Sequence, residues 1–334
     1  MTASKARVTL LVLALPVLAI LYLGWARLGP GFAELWSWWF GDLDPRSGYV
    51  LGQIRLPRLV VAMAGGAALA MAGTIMQATF RNPLASPDLV GTAAGAALGG
   101  ALAIVLGLAE TSLWIVPLAS LLGAAAVTAL VFVLAGSHGR FSATGLLLAG
   151  IALNTLVGAM TAFAVTFTFD NYTASSRVLF WLMGGLDART WEHAAITATG
   201  LLLFGSVAMR FRRDLDILTL RDDSAHSLGV DAGRVRRTVL LLACGLTATT
   251  VSNTGGIAFL GLVVPHLVRL LVGPSHRLLL PLSACGGAAL LVVGDLVCRL
   301  APPDMNLRLG VVTTLIGAPY FLYLLARHRR GEAL

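Results

Sequence analysis

Residues 238–268 read TVLLLACGLTATTVSNTGGIAFLGLVVPHLV, 31 residues from Thr238 to Val268 without one Asp, Glu, Lys or Arg. A helix needs about 20 apolar residues to cross a bilayer, so this run is long for one straight helix. Asn253-Thr254-Gly255-Gly256 is the natural break, and it leaves a short following span that contains Pro265. Broken helices at membrane depth persist only where protein or a water-filled cavity covers the freed backbone. The spacing admits both a tight turn and the edge of a pathway.

The same texture fills the chain on either side. Hydrophobic residues make up 57% and charged residues 12%, with mean hydropathy +0.84, whereas a soluble domain carries roughly a quarter charged residues. The 37 glycines suit closely packed membrane helices. The runs place spans near 8–26, 59–80, 89–109, 111–135, 141–169, 193–209, 238–256, 259–273, 278–298 and 309–326. The expected fold is all-α and integral to the membrane, with ten transmembrane helices in a single polytopic domain over residues 1–334. The first run follows Lys5 and Arg7, but it is long for a signal peptide, lacks a clean cleavage site, and reads as a span.

Both ends are basic, and ten spans put both inside. Lys and Arg then number 16 inside and 8 outside, as the positive-inside bias requires. The net charge of +8 is therefore read as topology rather than nucleic-acid binding. Cys244, Cys285 and Cys298 have no CxxC spacing and read as packing residues.

Lys5 is the one lysine, so a G-x-x-x-x-G-K-[ST] phosphate loop is impossible and this chain cannot bind ATP by that device. No H-E-x-x-H, G-x-S-x-G or Cys/His cluster supports an intramembrane enzyme. Asp295 is the main ionisable residue within a span. It could serve an ion-coupled secondary carrier; the preferred reading is a carboxylate hydrogen-bonded to neighbouring helices, or paired with Arg299 one turn on. His266, after Pro265, reads as a packing histidine.

Gly91, Gly95 and Gly99 recur every four residues, a stripe for close helix approach. Asn82-Pro83-Leu84, with Pro87 beyond, is a rigid inside loop, either a constriction at the inner mouth or a simple turn. The longest charged interruption, Arg210 to Arg237, lies between the sixth and seventh spans. Within it Thr219 can cap a short helix, Asp222 and Asp223 fall in its first turn, and Gly229 can end it. A short polar helix on a membrane face suits transmission of force from a soluble partner.

Taken together and in order, Arg55-Leu56-Pro57-Arg58, Asn82-Pro83-Leu84-Ala85-Ser86-Pro87, Gly255 through His266, and Gly310 through Pro319 resemble the permease subunits of ABC importers for ferric siderophores, haem and cobalamin. The likeness runs from about residue 50 to the C-terminus. It implies the type II ABC importer permease fold, with two permease subunits (a second copy of this chain is expected), two cytoplasmic ATPase subunits that hold ATP and Mg, and a periplasmic or lipid-anchored substrate-binding protein. It implies residence in a bacterial inner membrane with both termini cytoplasmic, and no cofactor on this chain.

By the same resemblance, Leu218, Thr219, Leu220, Arg221, Asp222, Asp223, Ser224, Ala225, His226, Ser227, Leu228 and Gly229 form the helix that couples to the ATPase. Asn82, Leu84, Ser142 and Thr144 form the cytoplasmic gate; Asn154, Met160 and Phe163 line the path; and Arg55, Arg58 and Arg299 accept carboxylates of the binding protein. The chain departs from the family at Gly255-Gly256-Ile257-Ala258-Phe259, where Gly-Pro-Ile-Gly-Phe is common, and at Asn306-Leu307-Arg308, where Glu-Leu-Pro is usual. Arg177 and Arg308 are extra outer cations.

Overall fold

Backbone amides inside a bilayer find no water to bond, so a chain this apolar must satisfy them within each segment, as helices do. The computed structural model describes residues 2–25, 29–41, 44–136, 143–168, 172–220, 227 and 230–329. Among the described residues there is no strand. The helices are α1 (Thr2–Gly24), α2 (Phe32–Phe40), α3 (Pro45–Tyr49), α4 (Leu56–Phe80), α5 (Thr92–Val105), α6 (Ile115–Ala135), α7 (Ala143–Thr166), α8 (Tyr172–Met183), α9 (Trp191–Gly200), α10 (Ser206–Arg210), α11 (Arg212–Leu218), α12 (Ala232–Thr254), α13 (Leu260–Val272), α14 (His276–Leu300) and α15 (Leu309–Arg329). Wide turns at Val50–Arg55 and Leu201–Gly205 join α3 to α4 and α9 to α10.

Each expected run contains a helix, but among the described residues five are both long and apolar enough to cross a membrane: Pro45–Phe80, Ile115–Ala135, Thr144–Thr166, Trp191–Arg210 and His276–Leu300. Others are shorter. The run read as 89–109 is cut by left-handed glycines, Gly91 (φ 81°) and Gly107 (φ 73°), which confine α5 to Thr92–Val105. Helices α2, α3, α8 and α11 lie outside the expected spans. In α2, Trp36 and Trp39 are exposed, as aromatic side chains at a membrane interface are. In α8, Val178 and Trp181 are buried against α5.

The core is organised on α4, most of which is buried. Its small residues let neighbouring backbones approach: a Cβ on Gly66 would strike the Gly287 carbonyl of α14, and one on Gly73 would strike Gly261 of α13. The predicted glycine stripe divides. Gly95 and Gly99 press on Gly123 and Ala119 of α6, while Gly91 makes the turn that starts α5. The break in the opening run is real. The first helix, α12, ends at Thr254, Gly255 and Phe259 take left-handed φ values of 69° and 65°, and α13 begins at Leu260. Its backbone is sealed by protein, with Gly185 N donating to the Thr254 carbonyl (2.8 Å) and Gly184 and Gly310 packed on Gly256.

Candidate functional site

Helix α4 spans about 37 Å at 1.5 Å per residue, so Arg58 and Asn82 sit at opposite ends of the molecule. Each end carries a polar cluster.

At the first end Asp295 of α14 is fully buried yet fully partnered. Arg58 forks onto it, Nε to Oδ2 and Nη2 to Oδ1, both at 2.8 Å, and Tyr22 of α1 donates its hydroxyl to Oδ2 at 2.6 Å. The expectation that Asp295 bonds neighbouring helices holds, but its ion-pair partner is Arg58, not Arg299. The fork needs a partner approaching in plane, which the facing helix α4 provides and a residue one turn along α14 does not. Arg299 instead donates to the Tyr22 carbonyl (2.9 Å) and lies over the Tyr22 ring at 4.5 Å. Arg55 is 4% exposed and gives Nη1 to the carbonyls of Leu23 and Pro30, each at 2.6 Å, satisfying one that the end of α1 leaves open and one in the loop beyond it. The three arginines thus converge on the end of α1. Arg58 and Arg299 keep part of their surface in solvent; Arg55 does not.

Arg58 reaches further. Its Nη1 donates to Oδ1 of Asp187 (2.9 Å), and Oδ2 of Asp187 accepts from Arg308 Nη1 (2.6 Å). Sequence reasoning did not single out Tyr22 or Asp187. Asp187 is an acid in a short loop among arginine-bearing loops, and that was the available signal.

At the other end α4 stops because Arg81 turns left-handed (φ 49°). Its side chain crosses to α11, Nε donating to the Leu218 carbonyl at 2.8 Å. Asn82 folds its loop, Oδ1 accepting from Leu84 N (2.9 Å). Gln77 bridges α4 to α13 through the Leu262 carbonyl and Arg269, and Asp216 of α11 accepts from the His276 amide (2.8 Å) at the start of α14. A cleft of about 760 Å³ opens between Asn82, Asp216, Thr219 and Arg269.

Of the coupling residues, Leu218 is 1% exposed and anchors α11 in the core. Thr219 donates its hydroxyl backwards, to the Asp216 carbonyl (2.6 Å). Leu220 and Ser227 are exposed. Arg221, Asp222, Asp223, Ser224, Ala225, His226, Leu228 and Gly229 lie outside the described residues, as does Ser142 of the gate; Thr144 is exposed at the start of α7, and Leu84 is half-buried. Arg81, Asp216 and His276, which tie this segment to the core, were not legible from spacing.

The path residues do not share one face. Met160 and Phe163 are exposed on α7, but Asn154 turns inward and donates Nδ2 to the Asp88 carbonyl at 2.7 Å. Asp88 stands in the 3₁₀ turn Pro87–Val90; among the described residues its carboxylate has only a long contact to Ser86 (3.5 Å), and burial pushes it up to about 6.

The FecCD transport family matches residues 11–327. The Fe(3+) dicitrate transport system permease protein FecD of Escherichia coli is 41% identical over 84% of this chain and 86% of its own length. The cobalamin import system permease protein BtuC of Halobacterium salinarum is 40% identical over 85% of this chain and 75% of its own. A solved structure of an inward-facing metal-chelate type ABC transporter superposes with TM-score 0.85 at 32% identity, covering 97% of this chain and 99% of that one.

Proposed function

The chain belongs to the FecCD transport family, and from that premise we propose that it is the membrane permease of an ATP-driven importer carrying an iron chelate, a ferric siderophore or haem, inward. It works with a second copy of itself, two ATPase subunits that hold ATP and Mg, and a substrate-binding protein outside. It crosses the inner membrane ten times with both termini in the cytoplasm. Helices α1, α5, α12, α13 and α15 complete the count beside the five long apolar ones.

The observation that carries this reading is the tie at the Asn82 end. Arg81 bonds the last carbonyl of α11, and the polar segment that follows α11 has its root fixed to α4 on one side and, through Asp216 and His276, to α14 on the other. A force applied to that segment by a soluble partner is delivered to buried helices rather than absorbed by a loop. The Asn82–Pro87 turn is continuous with α4, so the same force reaches the inner gate. On the outer face Arg58 and Arg299 meet carboxylates of the binding protein, while Arg55 holds α1 in place.

The test is uptake in proteoliposomes holding the complete complex. Uptake should need ATP and the binding protein and survive a proton uncoupler. Asp222→Lys with Asp223→Lys should abolish stimulated ATP hydrolysis while leaving membrane insertion intact. Uptake without any ATPase subunit would refute the reading. The cobalamin reading rests on the likeness to the Halobacterium salinarum permease; binding of a corrinoid rather than an iron chelate by the purified partner protein would select it.

A further inference from the structure

A cleft of about 770 Å³ opens on the Arg58 end of the molecule, between the α5–α6 connection, α8 and the 184–190 loop, with Thr254 of the broken run at its wall. Small-molecule sites span roughly 300–1,000 Å³. One side is apolar, built from Ile104, Val116, Pro117 and Trp181; the other carries Arg177, Arg189 and Arg308.

The charges do not cancel. Arg177 pairs with Glu110 at 2.9 Å, and Arg308 pairs with Asp187, which Arg58 already shares. The third guanidinium, Arg189, has no hydrogen-bond or ion-pair partner among the described residues, and its Nε is sealed from solvent without an acceptor. The Nε of Arg308 is sealed and unpartnered as well. Burial draws Arg189 down to about 10, which leaves it charged at neutral pH. Buried donors are almost always satisfied, and a guanidinium offers a planar fork that fits a carboxylate. An unmatched fork at the edge of an apolar wall is complementary to one negative group carried on an apolar body.

We propose that this cleft is a binding site for an organic carboxylate with an apolar body, held by Arg189 and assisted by Arg308, and that it is where carboxylate-bearing cargo first touches the permease, an assignment of the ligand as cargo that rests on the importer reading. Asp187 sets its selectivity: shared between Arg58 and Arg308, it leaves room for one further negative charge and repels a second.

The experiment uses the full chain in phosphatidylcholine nanodiscs, with 2,3-dihydroxybenzoate and its neutral analogue 2,3-dihydroxybenzamide as probes and ligand-observed NMR as the readout. The benzoate should bind at least about tenfold more tightly than the benzamide, and more weakly as salt rises. Arg189→Gln should abolish that preference, and Arg189→Lys should restore part of it, at unchanged thermal midpoint. Equal binding of the two probes to the unaltered protein, which needs no variant to fold, overturns the proposal. So does an unchanged preference in Arg189→Gln. If Arg189→Gln loses capture of the binding protein but not the benzoate preference, the group belongs to protein docking and the proposal is again overturned. No ATPase is present in this experiment, so its failure leaves the importer reading to the uptake assay.

Discussion

Removing Asp295 tests whether the buried charge is a brace or a carrier of ions. In Asp295→Ala the Arg58 fork loses two bonds of 2.8 Å and the Tyr22 hydroxyl loses its acceptor. Breaking one partner out of a buried ion pair costs about 3–5 kcal/mol, because the other charge stays behind without compensation. Here Asp187 still faces Nη1 of Arg58, and its side chain is 56% exposed, so it can follow the guanidinium and recover part of the loss. The lower end, about 3 kcal/mol, is therefore expected, a shift of more than about a hundredfold in the folding equilibrium. The double variant Arg58→Leu with Asp295→Leu should be more stable than Asp295→Ala, since well-packed apolar replacements of a buried pair are often neutral. Both are measured by equilibrium unfolding in mixed micelles, with uptake normalised to folded protein. A brace predicts lost stability with uptake per folded molecule retained. If Asp295→Ala proved as stable as the parent, the brace would be wrong. If Asp295→Asn folded fully yet carried nothing, ion coupling at Asp295 would replace it.

Three further outcomes follow from other contacts. Asp88 binds its proton more tightly when folded, with its carboxyl at about 6 against an ordinary value near 3.9. Its contribution to stability is therefore full below about pH 4 and lost as pH rises through 6; Asp88→Asn should flatten that part of a stability-against-pH curve. A Cβ at position 73 meets the Gly261 backbone, whereas one at 158 meets nothing within 4 Å. Gly73→Ala should thus lower the unfolding free energy, by about 3 kcal/mol or more if the helices cannot separate, and Gly158→Ala, in open space within α7, should not lower it. Arg81→Gln removes the tie to the Leu218 carbonyl; in the reconstituted complex it should lower uptake per ATP hydrolysed, with the permease still assembled.

Much of the helical layout was legible because apolar runs in a membrane chain have few ways to hide their backbone. The break at Asn253–Gly256 was legible too, since two adjacent glycines end a helix at little steric cost. What escaped were contacts made across long sequence separations. Arg58 and Asp295 are 237 residues apart, and nothing in local spacing favours that pair over Arg299, one turn away. The path residues, which the resemblance supplied, divide for a different reason: Asn154 and Phe163, nine residues apart, fall on opposite sides of a 3.6-residue helix. The short helix α8 escaped because its arginine and serines look like loop, although Val178 and Trp181 recur at a spacing that buries one side.

The two polar clusters are joined by one rigid element, and this limits what can move. Helix α4 carries Arg58 at one end and Gln77 and Arg81 at the other, and close glycine contacts lock its length to α13 and α14. By contrast α6 and α7 leave most of their apolar windows uncovered, with 33% and 28% buried. Close-packed backbones have no room to slide, while side chains that meet only lipid or a second subunit do. A rearrangement that opens one end of the molecule and closes the other is therefore expected to swing α5–α8 against the block of α4 and α12–α14. Beside the buried apolar seam that α5, α6 and α7 share with α4 and α12, specific junctions join the two groups: Gly185 on Thr254, and Arg308 between Asp187 and Phe180. Both border the arginine cleft. A carboxylate drawn to Arg189 and Arg308 competes with Asp187 for the same guanidinium, and so weakens one of the ties that hold α8 to the block.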